Sequence, residues 1–138
     1  SPAKCAGGTL AALPTRDSVV PMLAALSLAK AGPLSGHVDA LQLPVSISDR
    51  LENFPVADSQ ALMARLETSA DNINQLIGDL GTVLSINRTD GLRMTLESGT
   101  VIHLRPSGNA PEMRCYVEAT TLEIASSTLT NMLARLRP

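Results

Sequence analysis

Aromatic residues are nearly absent from this chain, and its charge is close to balanced. Phenylalanine, tyrosine and tryptophan together make up 1% of its 138 residues, and the formal net charge is −2 at pH 7. Proteins that bind DNA or RNA need a basic surface and usually aromatic side chains on which the bases stack. We therefore expect no nucleic-acid partner, and we expect a core built from aliphatic side chains.

Cysteines are also scarce, and no long hydrophobic run is present. Cys5 and Cys115 are far apart and show no metal-binding spacing, so neither a disulfide framework nor a zinc site is predicted. We expect Cys115 to lie in the core. The apolar stretch at 19–31 contains a proline and a lysine and is well short of the roughly 20 residues that cross a bilayer. With no membrane segment, and no signal peptide in the small residues at 1–8, a cytoplasmic location is the expectation.

Length and composition favour one ordinary domain with an additional fragment. With 44% hydrophobic and 17% charged residues, the chain can bury enough apolar surface to fold. In its first part a helix is predicted to begin at Asp17 or Ser18 and to end before Gly32-Pro33, and a second short helix covers 34–41. This pair is rich in alanine and leucine and has no strong polar face, so we expect it to pack against a larger body.

The second part has the pattern of an α+β domain over 46–138. Residues 45–54 look extended but alternate poorly, and they are predicted to be a connection. Helices are predicted from a cap at Asp58 to Leu66, over 73–80, and after a capping box formed by Thr120 and Glu123. Strands are predicted at 82–87, 92–97, 100–105 and 113–118. The predicted fold is a four-stranded antiparallel sheet with helices packed on one apolar face.

The loop RPSGNAP at 105–111 is the segment most informative about function. Arg105 offers a planar, permanently charged donor, and Ser107 and Asn109 offer neutral donors. Gly108 lets the backbone approach a ligand or adopt a positive φ. Because every donor in the loop suits an anion and no carboxylate is present in it, the loop predicts anion binding rather than general acid or base chemistry.

The residues alone leave a structural interpretation of this loop open. Proline, serine, glycine and asparagine are ordinary turn residues, and Arg105 would then pair with Glu112 or Glu118 at the surface. His103 lies on the same strand face as Arg105, but a lone strand histidine is more often structural. Arg114 is interpreted as a solvent-facing strand residue. Neither His103 nor Arg114 belongs to the predicted site.

The longer string DGLRMTLESGTVIHLRPSGNAPEMRCYVEA at 90–119 resembles the C-terminal domain of bacterial phosphomannomutases and phosphoglucomutases, in the α-D-phosphohexomutase superfamily. Its loop is similar to that family's phosphate-binding loop, commonly Arg-Pro-Ser-Gly-Thr-Glu-Pro, and the next strand is similar to Leu-Arg-Val-Tyr-Val-Glu. The strings ALPTRDSVVPMLAALSLA at 12–29 and SDRLENFP at 48–55 also resemble this branch. The resemblance covers nearly the whole chain in the family's order.

This resemblance implies two domains and an enzyme. Residues 1–45 would be the C-terminal end of the third mutase domain, a helical remnant of an α/β domain, and residues 46–138 would be the fourth, phosphate-binding domain. The parent enzyme would interconvert hexose 1-phosphate and 6-phosphate, of mannose or glucose, through a bisphosphorylated intermediate. In such enzymes a first-domain phosphoserine donates the phosphoryl group, a second-domain aspartate loop holds magnesium, and a third-domain loop recognises the sugar. No SHNP or DGD motif is present here, so we expect this chain alone to bind no metal and to catalyse nothing.

Carried over position by position, the resemblance implies that Arg105, Ser107, Gly108 and Asn109 bind the non-reacting phosphate of the phosphosugar. The chain departs from the family's Thr-Glu at Asn109 and the alanine after it, where an amide replaces a hydroxyl donor. The implied partners are the phosphosugar and the remaining domains of the parent mutase.

Two alternatives belong to other functional classes. A stand-alone, noncatalytic anion-binding or protein-interaction domain of the same fold would use the apolar helix at 19–31 as a partner-binding face. A small independent hydrolase is disfavoured, because the sequence has no suggestive Ser/His/Asp or paired-carboxylate spacing.

Overall fold

The computed structural model describes residues 3–5, 8–10 and 18–137. The chain divides into two compact units, 1–43 and 44–138. In the first unit, two short antiparallel strands, β1 (Ala3–Cys5) and β2 (Gly8–Leu10), are followed by helix α1 (Val19–Leu28), a 3₁₀ turn (Ala29–Ala31) and helix α2 (Leu34–Asp39). Both predicted helices are therefore present. Ser18 stands at the N-cap of α1 without a side-chain capping bond, and Asp17 lies outside the described residues.

The second unit is an α+β domain, as predicted. Its elements in chain order are β3 (Val45–Glu52), α3 (Val56–Thr68), α4 (Ala70–Ile77), a 3₁₀ turn (Gly78–Leu80), β4 (Val83–Asn87), β5 (Leu92–Leu96), β6 (Val101–Pro106), β7 (Glu112–Ala119) and α5 (Leu122–Leu136). The strands form one sheet in the order β3-β7-β6-β5-β4, and every neighbouring pair is antiparallel. The sheet places the hairpin β6–β7, with the loop 107–111 at its tip, near the middle.

The prediction of four strands is wrong by one, because residues 45–52 form an edge strand rather than a connection. β3 pairs with β7 over eight residue pairs, from Val45 opposite Ala119 to Glu52 opposite Glu112. The alternation is weak because Asp49 takes a position on the apolar side of the strand, opposite Cys115. An edge strand needs less apolar patterning than a central one, since only one side of it pairs.

One face of the sheet and the helices enclose an aliphatic core. The side chains that are fully buried in it come mainly from alternate positions of the three central strands, which contribute Leu92, Met94, Leu96, Ile102, Leu104, Met113, Cys115 and Val117. The helices contribute Leu66, Ile73, Ile77, Ala125 and Met132. Helix α5 packs against β3 and β7, and α3 contacts β6 and β7. The predicted burial of Cys115 is confirmed, and its burial raises the pKa of the thiol to about 12.

Three helix starts differ from the predictions, and one of them is the start of α4, at Ala70 rather than at 73. The N-cap of α5 is Thr121, whose hydroxyl oxygen accepts the backbone N–H three residues on at 3.3 Å, so the capping box of Thr120 and Glu123 is wrong by one residue. Helix α3 begins at Val56, which places Asp58 in its first turn rather than at its cap. An acidic residue in the first turn still favours the helix through the helix dipole.

The sheet face opposite the core carries polar side chains, and we call it the open face. Arg50, Arg114 and Arg105 lie in register across β3, β7 and β6 on this face. In the next row, the rings of His103 and Tyr116 lie 5.5 Å apart. The candidate site lies where the first of these rows meets the β6–β7 loop.

Candidate phosphate-binding site

The loop between β6 and β7 is closed by its own backbone. The N–H of Ser107 donates to the carbonyl of Glu112 at 3.0 Å, and the N–H of Glu112 donates to the carbonyl of Ala110 at 2.8 Å. The N–H of Asn109 points to the Ser107 Oγ at a marginal 3.5 Å. These bonds turn the chain back from β6 into β7 and leave residues 108–109 exposed at the tip.

Gly108 lies at the open end of this turn. It does not adopt a positive φ, so a left-handed backbone is not the reason for a glycine at this position. A Cβ built at Gly108 would meet no heavy atom within 4 Å, and among the described residues its N–H has no hydrogen-bond partner. An exposed, unpartnered N–H is able to donate to an incoming anion.

Arg105 is the charged donor of the site. It lies on the open face at the end of β6, and its side chain is 46% exposed. Its Nε lies 3.0 Å from Oδ1 of Asp90, in the turn between β4 and β5. The alternative that paired Arg105 with Glu112 or Glu118 is wrong, because those carboxylates pair with other arginines.

Glu112 holds the base of the loop. Its carboxylate lies 3.0 Å from Nη2 of Arg114 and 3.0 Å from Nε of Arg50, and its side chain is only 11% exposed. The hydrogen bond from Arg114 lowers the pKa of Glu112 most, partial desolvation opposes this, and the Arg50 charge and the Ser107 hydroxyl lower it further. Glu112 is therefore held by two arginines at the start of β7.

The structure brings Arg114 to the site, although the sequence interpretation left it out. It faces solvent on a strand, as predicted, but it is also the cross-strand partner of Arg105 in the β6–β7 ladder. Directly opposite residues of an antiparallel pair have Cβ atoms about 5 Å apart. The alternation of β7 predicted that Arg114 faces solvent, but the β6–β7 register that places it opposite Arg105 was not predicted.

His103 contacts the β4–β5 turn and β7. Its Nε2 contacts the backbone carbonyl of Asp90, and its ring stacks obliquely on Tyr116. It holds the β4–β5 turn against β6 without reaching the loop tip.

Neither a metal site nor a membrane segment is found in the described part of the chain. Residues 3–5, 8–10 and 18–137 contain no group of three or more His, Cys, Asp or Glu side chains that could hold a metal ion. No chemistry is assigned to a metal within those residues. None of the helices among those residues has the length and apolar composition that spanning a bilayer requires.

Comparisons with known proteins agree with the resemblance noted above. The sequence profile of the phosphoglucomutase/phosphomannomutase C-terminal domain matches residues 51–134. A protein of Sinorhizobium fredii (strain NBRC 101917 / NGR234) named phosphomannomutase is 48% identical over 132 residues, which cover 94% of this chain and 28% of that protein. A phosphomannomutase of Salmonella muenchen is 37% identical over 129 residues, covering 93% of this chain and 27% of that protein. The chain thus spans just over a quarter of the length of these relatives, and it belongs to the phosphoglucomutase/phosphomannomutase family, whose C-terminal domain lies at residues 51–134.

Proposed function

We propose that this chain is the phosphate-binding C-terminal part of a phosphohexomutase. The parent enzyme would be an isomerase that interconverts hexose 1-phosphate and 6-phosphate, of mannose or glucose, through a bisphosphorylated sugar. Family membership supports the enzyme class, and both relatives above are named phosphomannomutase. Magnesium and the phosphoryl-donating serine would belong to other domains of the parent enzyme, and this chain alone would not catalyse.

The proposed contacts with the substrate's phosphate are Arg105, Ser107, Gly108 and Asn109. The observation that carries the proposal is the β6–β7 loop, where Gly108 has an unpartnered N–H and free space at its Cβ position, and Arg105, three residues earlier, has an exposed guanidinium. A guanidinium and backbone N–H groups together suit a tetrahedral dianion. Such a clamp would act by positioning the phosphosugar. Positioning raises the rate of phosphoryl transfer even when the clamp lies far from the bond that breaks.

Residues 1–45 are proposed to be the end of the preceding mutase domain. No residue of α1 is buried, and three of its apolar side chains, Met22, Leu23 and Leu26, are 59%, 60% and 62% exposed. The remaining domains of the parent mutase are the proposed cover for this surface. The rival is a stand-alone interaction domain that uses α1 to bind an unrelated protein.

Association of separately produced fragments distinguishes these two proposals. We expect this chain to bind the complementary fragment of its parent enzyme and to restore mutase activity to it, while either piece alone is inactive. If the complementary fragment fails to bind and an unrelated protein binds through Met22 and Leu26, the rival is correct.

An NMR titration with inorganic phosphate and with mannose or glucose phosphates tests the site. The largest amide shifts are expected at Ser107, Gly108 and Asn109, and Arg105→Ala should abolish them. Since the Arg105 ion pair is exposed, that variant should lose only about 0 to 1 kcal/mol of folding stability.

Arg93→Ala is the matched control for this titration. Arg93 also lies on the open face and forms an exposed ion pair, at 3.1 Å with Glu118, but it is two strands from the loop's return strand β7. We expect this variant to keep the phosphate response. Largest shifts elsewhere in the chain would overturn the assignment of the site to this loop. Global unfolding of Arg105→Ala would show that Arg105 is structural.

A further inference from the structure

Arg105, the charged donor of the proposed site, has a carboxylate of the same domain as its partner. Oδ1 of Asp90 lies 3.0 Å from its Nε, and the two side chains are 46% and 60% exposed. Exposed ion pairs contribute little net energy, because water and salt compete for both charges. An anion from solution is therefore able to replace Asp90 on this guanidinium.

The fold fixes where the Asp90 carboxylate lies. The next residue, Gly91, has a φ of 76°, and a Cβ on it would lie 2.3 Å from the carbonyl oxygen of Leu104. The Asp90 carbonyl also contacts Nε2 of His103. Both contacts are to β6 residues that come directly before Arg105, so the turn holds Asp90 beside the guanidinium.

Glu112, the other carboxylate near the loop, differs in both burial and partners. It is 11% exposed and is held by Arg50 and Arg114. Displacing it would leave these groups to find new partners, whereas displacing Asp90 releases one exposed carboxylate to water. Of the two, Asp90 is the exchangeable anion and Glu112 is part of the loop's scaffold.

We propose that Asp90 is the resident counter-anion of Arg105 and that the substrate's phosphate displaces it from the guanidinium. This inference rests on the proposed phosphate site. Asp90 and the phosphate need the same positive charge, and they repel each other once the phosphate is bound. Asp90 thereby weakens phosphate binding and speeds phosphate release, and it sets the affinity of the site without taking part in bond breaking.

The test compares Asp90→Asn with the wild-type chain in titrations with inorganic phosphate. Asparagine keeps the size of the side chain and its preference for turns while removing the charge. We expect binding about threefold tighter at physiological salt, the effect of removing one exposed charge roughly 7 Å from a phosphate dianion. The gain should vanish near 1 M salt, where the screening length is about 3 Å. Asp90→Ser serves as a second neutral variant if the asparagine variant is poorly folded.

Glu118→Gln is the matched control. It removes the same charge from another exposed ion pair on the open face, that of Arg93. Glu118 lies opposite Val101, four residues along β6 from Arg105, which corresponds to about 13 Å. Phosphate affinity should change little in this variant.

The outcomes separate this inference from the proposed function. If wild-type loop amides respond to phosphate but Asp90→Asn binds equally or more weakly, Asp90 orients Arg105 or does nothing, and only the inference is overturned. Equal tightening by Asp90→Asn and Glu118→Gln reveals a general charge effect and also overturns it. If neither the wild type nor Asp90→Asn binds phosphate at the loop, both proposals fail.

Discussion

Two glycines of the β4–β7 region should respond in opposite ways to substitution by alanine. Gly91 has a φ of 76°, and an added Cβ would lie 2.3 Å from a backbone oxygen. Gly108 does not adopt a positive φ, and an added Cβ would meet nothing within 4 Å. The first glycine is therefore required by the fold, while the second leaves space that we assign to a ligand.

The cost of Gly91→Ala has two parts. The left-handed conformation costs a residue with a Cβ about 1 to 2 kcal/mol. Relieving a contact with backbone rather than with a flexible side chain requires β5 and β6 to shift, which costs about 1 to 3 kcal/mol by analogy with overpacked cores. We expect a total loss of about 2 to 5 kcal/mol, a large fraction of the stability of a small domain.

Gly108→Ala should leave stability unchanged or raise it by up to about 1 kcal/mol, because alanine restricts the unfolded chain more than glycine does. Its methyl group would occupy the space in front of the loop. We expect phosphate affinity to fall on the order of tenfold, the effect of about 1.4 kcal/mol of steric conflict.

Urea denaturation followed by circular dichroism measures the stability of both variants, and NMR titration measures phosphate binding. The reasoning is refuted if Gly108→Ala binds phosphate as well as the wild type, since the open space would then not be the ligand's. It is also refuted if Gly91→Ala is as stable as the wild type.

Three further predictions concern the core, a helix end and acid stability. Because burial raises the pKa of Cys115 to about 12, its thiol should resist alkylation at neutral pH in a Cys5→Ser variant until urea unfolds the chain, and rapid labelling of the folded protein would contradict its burial. Arg135→Ala should lower the free energy of unfolding, measured by urea denaturation, by about 1 to 2 kcal/mol, because this arginine donates to the last backbone carbonyls of α4. The control Arg65→Ala, at an exposed position, should lower it by about 0.5 kcal/mol or less. Equal losses would argue against the contact. Since Arg114 lowers the pKa of Glu112, this carboxylate stabilises the fold above its unfolded pKa of about 4.3, and that stability is lost as pH falls through the lower folded pKa. Glu112→Gln should therefore flatten the fall in melting temperature between about pH 5 and pH 3, and an unchanged acid profile would show that the ion pairs of Glu112 contribute nothing.

Elements with local patterns were predictable from the sequence. Strands β5, β6 and β7 alternate apolar and polar residues, and the turns between β4, β5 and β6 contain Asp90-Gly91 and Ser98-Gly99, so hairpin pairing follows from neighbouring residues. The helices of both units were also predicted, although three starts in the second unit were displaced. Which residue is the N-cap depends on the φ and ψ angles of a single residue. Either of the two adjacent threonines before α5 could serve as the cap, so the sequence does not decide between them.

Strand β3 was not recognised because its partner is distant in the chain. Its residues pair with β7 residues that lie 60 to 74 positions later, and Asp49 interrupts its apolar alternation. Nothing within residues 45–52 records which strand lies beside them. That β3 is a fifth strand, and that it lies at the edge of the sheet, follow from tertiary pairing alone.

By itself, the sequence determined the donor chemistry of the 105–111 loop and the family, because both depend on which residues follow one another along the chain. Only the tertiary structure decided which charges meet. The β4–β5 turn places Asp90 within ion-pair distance of Arg105, and the β6–β7 register places Arg114 opposite the same arginine. Such contacts depend on register and on the close approach of backbones, and the order of residues does not encode either one locally.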